Sequence, residues 1–484
     1  MITARFVQRR GDTRVDNGQS VGSWRELGGY LSTAVVLAGG VLVGAVNIYV
    51  AASLLPTAVS DIGGERLYAW NMTAFLVAQV VATMFVGRVL SRRGNVGSYL
   101  IGFGVFAAGS VICAVSPAMA VLLVGRGVQG LGAGLLTGLG FAVIHSALPP
   151  RLWARGSALI SAMFGVGNFV GPALGGLFAQ FGSWRLAFVV LAAVAVVIAA
   201  FVPRALPRSE RGESKVPVPV ASLALVVGAV GAVSVAGILS DAVAIGAVIA
   251  VGFALVAAFL ATERRAKVRV LPRSTYQAGS ALRWVYLTIA FLASGVAVES
   301  FLPLFSQHMG GLPPVAAGFF AAALSLGWSV SQIVSSSARR QRTIRRLQVA
   351  GPAVLAVGLA VLALLQHQDA STLVVVAWLP VLLFGGTGIG IAMPHLSVAA
   401  MTSADDPEEG QKAAAAIATV LTMSTAFGAA VAGLLVNLGG PAMITSARCL
   451  LIGFAVIAAF GIFTARRANR STPRPAAVTS VVGE

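Results

Sequence analysis

Charge is scarce in this chain, and negative charge most of all. Of 484 residues only 10% are charged, with 16 acidic side chains against 34 basic ones. Aromatics make up 8%, there are four histidines and there are two cysteines. With 57% hydrophobic residues and a mean hydropathy of +0.88, too little polar surface remains to cover a fold in water, so most of the length must face lipid. The shortage of histidine and cysteine argues against a spaced metal-ligand set. Cys113 and Cys449 lie inside apolar runs without a partner at ligand or redox spacing, and read as small packed hydrophobes. The net charge of +18 does not point to nucleic acid, because the basic residues form short clusters between apolar runs, with no long basic tract and no aromatic platform. There is no P-loop to suggest ATP as an energy source.

What the chain has instead is long apolar runs. Inside a bilayer the backbone is satisfied only in helices or closed barrels. Runs of about 20 residues without two-residue alternation are helices rather than barrel strands. They fall near 31–58, 67–87, 96–115, 118–147, 155–180 and 185–203, then 218–239 and 243–262, then 281–306, 313–337, 347–366, 372–401, 411–437 and 442–465. That is fourteen, grouped six, two, six. The expected organisation is a polar N-terminal tail over 1–30, a six-helix bundle over 31–203, a linker over 204–217 and two inserted helices over 218–262. A second linker over 263–280, a second six-helix bundle over 281–465 and a tail over 466–484 complete it. The first tail carries acids as well as bases and reads as cytoplasmic, not as a cleavable signal.

Alternating the runs with the N-terminus in the cytoplasm places every basic residue inside except Arg66, Arg126, Arg185 and Arg448. A wrong helix count would scramble that alternation, so both termini are expected on the cytoplasmic side. The halves also echo each other. Phe169 and Gly175 are spaced as Phe427 and Gly433 are, and Gly130, Gly132 and Gly134 recur as Gly386, Gly388 and Gly390. Duplicated bundles of this kind offer a cavity with alternating access between them.

Two local patterns stand out. In GVGNFVGPALGG, Gly167, Gly171 and Gly175 are four apart and line one helix face, where a neighbouring backbone can come close, and Pro172 bends the helix. Plain small-residue packing is the competing account. In LLVGRGVQGLGAG, Arg126 lies deep in an apolar run with Gln129 one turn on, which needs a partner or a wet cavity. Ties to neighbouring backbone carbonyls are one reading, and coupling to protons or substrate is the other.

These residues carry a resemblance. Gly167, Gly171, Pro172, Gly175 and Gly176 resemble the antiporter motif of the major facilitator superfamily, and Leu122–Gly130 resembles its fourth-helix motif. The segment GRVLSRRG, with Gly87, Arg92 and Gly94 matching, resembles the cytoplasmic gating loop between the second and third helices. Ser91 stands where that loop usually has an aspartate, which alters the gating latch the resemblance implies. With six, two and six spans, the chain is similar to the fourteen-span drug/proton antiporter family across 31–465. The implied fold is an all-α membrane protein of two six-helix bundles with two additional central helices. The resemblance implies a first-helix acid, yet NIYVAASLLP puts Asn47 there and Tyr49 at the usual threonine.

An amide cannot carry a proton, so the carrier is sought elsewhere. Glu299, in SGVAVESFLP, is the acid plainly inside a span, where a carboxyl can load and release a proton as a cavity opens to each side. Pairing with an arginine such as Arg448, or snorkelling to the outer surface, is the bland alternative. Glu299 and Arg126 are therefore the expected coupling residues. Asn47, Tyr49, Gln129, Asn168, Ser294, Trp328, Gln332 and Thr387 are expected at the substrate cavity, and Ser325 and Ser424 also lie at membrane depth. His145 and His395 are expected at cytoplasmic helix ends. Asp405, Asp406, Glu408 and Glu409 form an acidic cytoplasmic turn or an interdomain salt link.

The expected function is proton-driven export of drugs or other lipophilic or amphiphilic molecules across a bacterial cytoplasmic membrane, by a monomer. It needs no metal or cofactor beyond the proton gradient, its partners being lipid, substrate and protons. A natural-product or lipid exporter, and an uncoupled facilitator or importer, share the fold. An intramembrane transferase would need a convergent set of His, Asp and Glu side chains, and only Glu299 lies deep. A non-transporting sensor lacks an attached signalling domain.

Overall fold

The computed structural model describes residues 24–207, 217–266, 268–277, 279–367, 370–402 and 407–471, and among them there are helices and turns and no strand. The aspartates at 405 and 406 lie outside the described residues, as do most of both expected tails. A short helix α1 (Trp24–Gly28) precedes α2 (Leu31–Ile62), α3 (Trp70–Ala114), α4 (Met119–Ala142), α5 (Ile144–Ala147), α6 (Trp153–Phe181) and α7 (Trp184–Ala205). The inserted pair is α8 (Val220–Ala236) and α9 (Ala242–Arg265). Then follow α10 (Leu282–Ser294), α11 (Leu302–Gly310), α12 (Pro314–Ser335), α13 (Gln341–Leu364), α14 (Thr372–Met401), α15 (Pro407–Leu438) and α16 (Met443–Ser471).

Among the described residues, twelve helices are long and apolar enough to cross a membrane. One of them, the 50-residue run Glu65–Ala114, would be ~75 Å long if straight, more than twice a ~30 Å hydrocarbon core. It breaks at Gly94, whose φ of 68° is a conformation that side chains disfavour and glycine does not. The segment expected as a loop between two runs is helical through Gly87, Ser91 and Arg92, and the whole reversal falls on that one glycine. Val220–Ala236 is apolar but shorter, at 17 residues.

Glycine spacing explains how the halves pack. A Cβ on Gly130 or Gly134 would strike the carbonyls of Phe75 and Gln79 on the first part of α3, and one on Gly132 would strike Phe106 on its second part. In the other half, Gly386 and Gly390 abut Leu324 and Trp328 of α12, and Gly388 abuts Gly351 of α13. The outer two glycines of each triplet thus seat the second helix of their half, and the middle one seats the third. This common pattern is why the two triplets recur.

The halves meet at the end of the molecule where α2 finishes and α3 begins. The Tyr68 ring lies 5.0 Å from Phe301, and the Tyr68 hydroxyl donates to the Ser300 carbonyl at 3.4 Å. Gly176 of α6 packs on the backbone of Val315 in α12, and Gly433 of α15 on Ala69. The inserted helices join the same end, with Trp70 Nε1 donating to Ser234 O at 3.2 Å and Asn437 Nδ2 donating to Gly237 O.

Candidate functional site: a carboxylate shared between the bundles

The first span of the second half is not one helix. After α10 the backbone tightens into a 3₁₀ turn, Gly295–Ser300, before α11 resumes at Leu302 and Pro303. Proline lacks the amide hydrogen that would bond back four residues, and a tightened turn in mid-span commonly marks a joint. Glu299 sits in that turn and is 5% exposed.

Its carboxylate is satisfied by α12. Ser325 donates its backbone N–H to Glu299 Oε1 at 2.7 Å and its hydroxyl to Oε2 at 3.0 Å. The Ser325 hydroxyl also lies 3.1 Å from the hydroxyl of Tyr49, on α2 of the other bundle. With the Ser325 proton directed at the carboxylate, Tyr49 is the donor. The result is a line from Tyr49 through Ser325 to Glu299 that crosses the bundle interface. Arg448 does not reach it, since its Nη2 donates to Gln366 O at 2.9 Å.

The glycine-rich stretch of α6 supports the Tyr49 side of this line. A Cβ on Gly167 would lie 2.7 Å from Ala45 Cβ, one on Gly171 2.5 Å from Tyr49 Cβ, and one on Gly175 2.6 Å from Val50 O. The three glycines therefore seat α2 against α6. Gly176, adjacent but turned away, meets α12, and the Pro172 carbonyl approaches Gly318 of the same helix. One run of sequence thus fixes Tyr49 within its bundle and docks that bundle onto the helix carrying Ser325.

Arg126 belongs to a separate, sealed cluster. It is fully buried, donates from Nε to Asn71 O at 3.2 Å and from Nη1 to Gln129 Oε1 at 2.9 Å, and lies 4.4 Å from the centre of the Phe75 ring. Gln129 Nε2 donates to Ser110 Oγ at 2.8 Å. Asn47 is fully buried too, and neither of its amide atoms has a hydrogen-bond partner. Asn47 and Gln129, expected at the cavity, face packed protein in this conformation.

The remaining expected cavity residues are dispersed. Trp328 and Gln332 bond to each other on α12, with Nε1 donating to Oε1 at 2.7 Å. Thr387 borders a groove of about 280 Å³ between α12 and α14, together with Leu326, Val330 and Leu383. Ser294 bonds its own helix at Phe291 O, and Asn168 is half-buried on α6. His395 is buried rather than interfacial, with Nε2 3.0 Å from Ser335 Oγ. The side chains of His145, Glu408 and Glu409 lie outside the described residues.

Sequence reasoning missed Glu263. It follows the last apolar residues of α9 and reads as linker charge, yet it is fully buried. It accepts from Ser222 Oγ at 2.6 Å, from the amides of Val270 and Leu271 at 3.0 and 3.3 Å, and from the Tyr276 hydroxyl at 3.1 Å. Nothing in its neighbours along the chain announces this.

Alongside the two bundles and the glycine-lined fifth span, a family model described as Major Facilitator Superfamily matches residues 37–419. The chain belongs to the major facilitator superfamily. As a member it is a multi-pass membrane protein of a transporter family. It is 45% identical over 470 residues to a Mycobacterium tuberculosis protein named a probable multidrug-efflux transporter, covering 95% of this chain and all of that one. It is 25% identical over 382 residues to multidrug resistance protein 3 of Bacillus subtilis, covering 76% and 73% of the two chains. Among solved structures, the fold is shared with a D-xylose–proton symporter at a TM-score of 0.64 and 14% identity, over 92% and 98% of the chains. It is shared equally with an inward-facing bacterial homologue of the lysosomal transporter Spinster, at a TM-score of 0.64 over 94% and 100%.

Proposed function

We propose that this superfamily member is a proton-coupled exporter of lipophilic or amphiphilic small molecules, working by alternating access as a monomer in a bacterial cytoplasmic membrane. The names of its relatives support the substrate class. The chain crosses fourteen times in this reading. The run broken at Gly94 counts twice because of its length, and Val220–Ala236, at ~25 Å, counts once as the partner of α9. The basic clusters then face the cytoplasm with both termini, and the end where the bundles meet faces outward.

The observation that carries the coupling is the line from Tyr49 through Ser325 to Glu299. An ionised Glu299 accepts from Ser325, and so holds the Ser325 hydroxyl toward Tyr49 and the opposite bundle. A proton on the carboxyl turns one of its oxygens into a donor and disorders that line. Proton binding thereby changes how firmly the bundles are joined, which is what an alternating-access cycle needs. The test is flux in proteoliposomes under an imposed pH gradient. Glu299→Gln is expected to lose uphill transport while keeping downhill exchange, and uphill transport by the variant would overturn the assignment.

Asn47 favours a second reading, because the acid the resemblance implies is absent there. As an uncoupled facilitator the wild-type protein would show the same flux with and without the gradient.

A further inference from the structure

We infer that the cytoplasmic corner between α10 and α16 is a binding site for the headgroup of an anionic phospholipid. Arg283 lies in the first turn of α10 and Arg467 near the end of α16. Their guanidinium carbons are 5.3 and 6.0 Å from the centre of one ring, that of Trp284. Arg467 also lies 5.2 Å from the Phe463 ring, which meets Trp284 edge-on at 5.9 Å and 87°. Among the described residues neither guanidinium forms an ion pair. Two like charges thus converge on one indole with no ion-pair partner among the described residues. A guanidinium resting against a ring keeps its N–H groups in its own plane and free for phosphate oxygens.

What lies beneath this pair selects a lipid over a free anion. One turn deeper on α10 is Leu287, 42% exposed, and two turns deeper on α16, one turn past Phe463, is Phe460, 59% exposed. A positive rim therefore continues into an open apolar strip through Phe463. A phospholipid matches both parts, with its phosphate at the two arginines and its acyl chains along the strip. Trp284 stands where interfacial indoles sit, at headgroup level. The lipid would bind at the start of the span that carries Glu299. Only the naming of the leaflet rests on the orientation proposed above, and binding is measured without transport.

The purified full chain, stripped of lipid, is titrated with short-chain phosphatidylglycerol, short-chain phosphatidylcholine and inorganic phosphate, and adducts are counted by native mass spectrometry. Selective retention of phosphatidylglycerol is expected. The double variant Arg283→Gln with Arg467→Gln should weaken it roughly thirtyfold, each arginine contributing about fivefold. Arg264→Gln with Arg265→Gln, at the end of α9, should retain it. The double variant Arg283→Lys with Arg467→Lys keeps the charge and should bind with the same selectivity at intermediate strength. An unliganded unfolding temperature equal to wild type shows that the glutamine variant is folded. Equal retention of the two lipids, unchanged binding by the glutamine variant, or displacement of phosphatidylglycerol by inorganic phosphate at matching concentration would each overturn the site.

Discussion

Asn47 and Gln129 are both amides and both fully buried, and the protein holds them in opposite ways. Gln129 accepts from Arg126 and donates to Ser110, whereas both polar atoms of Asn47 lack partners. An unsatisfied buried amide is costly, and an apolar group of the same shape can be neutral or stabilising. Asn47→Leu keeps the heavy-atom branching and should leave the unfolding temperature level or raise it. Gln129→Leu takes away the acceptor of the buried Arg126 Nη1 and should destabilise by about 1–3 kcal/mol, measured by thermal unfolding in detergent. If Asn47→Leu abolishes transport without loss of stability, the amide is kept for function. Ser325→Ala removes one donor to Glu299 and the bridge to Tyr49. Hydrogen bonds to charged groups contribute ~1.5–3 kcal/mol, so gradient-driven flux should fall tenfold or more. At this scale the sequence was uneven. Glu299 stands out because acids in apolar runs are rare, but a serine one turn either way from Ser325 would look the same. Glu263 was lost because a charge just beyond an apolar run ordinarily meets water.

At the scale of elements, spacing carries the information. The triplet of α4 and that of α14 seat equivalent neighbours, and the glycines of α6 seat α2. Gly171→Ala would put a methyl 2.5 Å from Tyr49 Cβ, and overpacking of this kind costs ~1–3 kcal/mol. Gly165→Ala, on the same helix with nothing within 4 Å, is the matched control and should leave the unfolding temperature unchanged. Equal effects of the two would refute a packing role. Most run boundaries were legible to within about four residues, because hydropathy changes sharply at the end of an apolar helix, but α13 starts and α16 ends six residues beyond the apolar run, in basic helical extensions. The division of the first span at Gly295–Ser300 was not, since a 3₁₀ turn keeps the same apolar composition as the helix around it. Nor was the helical course from Gly87 to Arg92, because its arginines look like loop charge until the single break at Gly94 is seen.

For the whole molecule, the defining feature is two bundles closed on each other at one end. Phe169 of α6 and Phe319 of α12 bring their ring centres within 5.9 Å across that junction. With Cys113 and Cys449 replaced, cysteines at positions 169 and 319 joined by a short thiol cross-linker should stop transport. A cleavable linker should restore transport on reduction. Continued turnover in the fully cross-linked protein would mean that this end does not open. The arrangement of basic clusters spoke to the membrane assignment early, because only the location of charge matters for it. The contacts that close this end could not be read in advance, since they join rings, glycines and backbone atoms far apart in the chain.

The Glu263 carboxylate gives the central hairpin a different standing from that of a spacer. Burial, and after it the neighbouring carboxylate, push the Tyr276 phenol well above its ordinary range, so its proton stays available to Glu263. The segment leading into the second bundle is thereby wrapped around the foot of α9. Anyone trimming this protein to a minimal transporter would find that excising α8 and α9 also removes the anchor for the strand of chain after them. A shortened version would need a rebuilt entry to the second bundle, not merely a shorter tether.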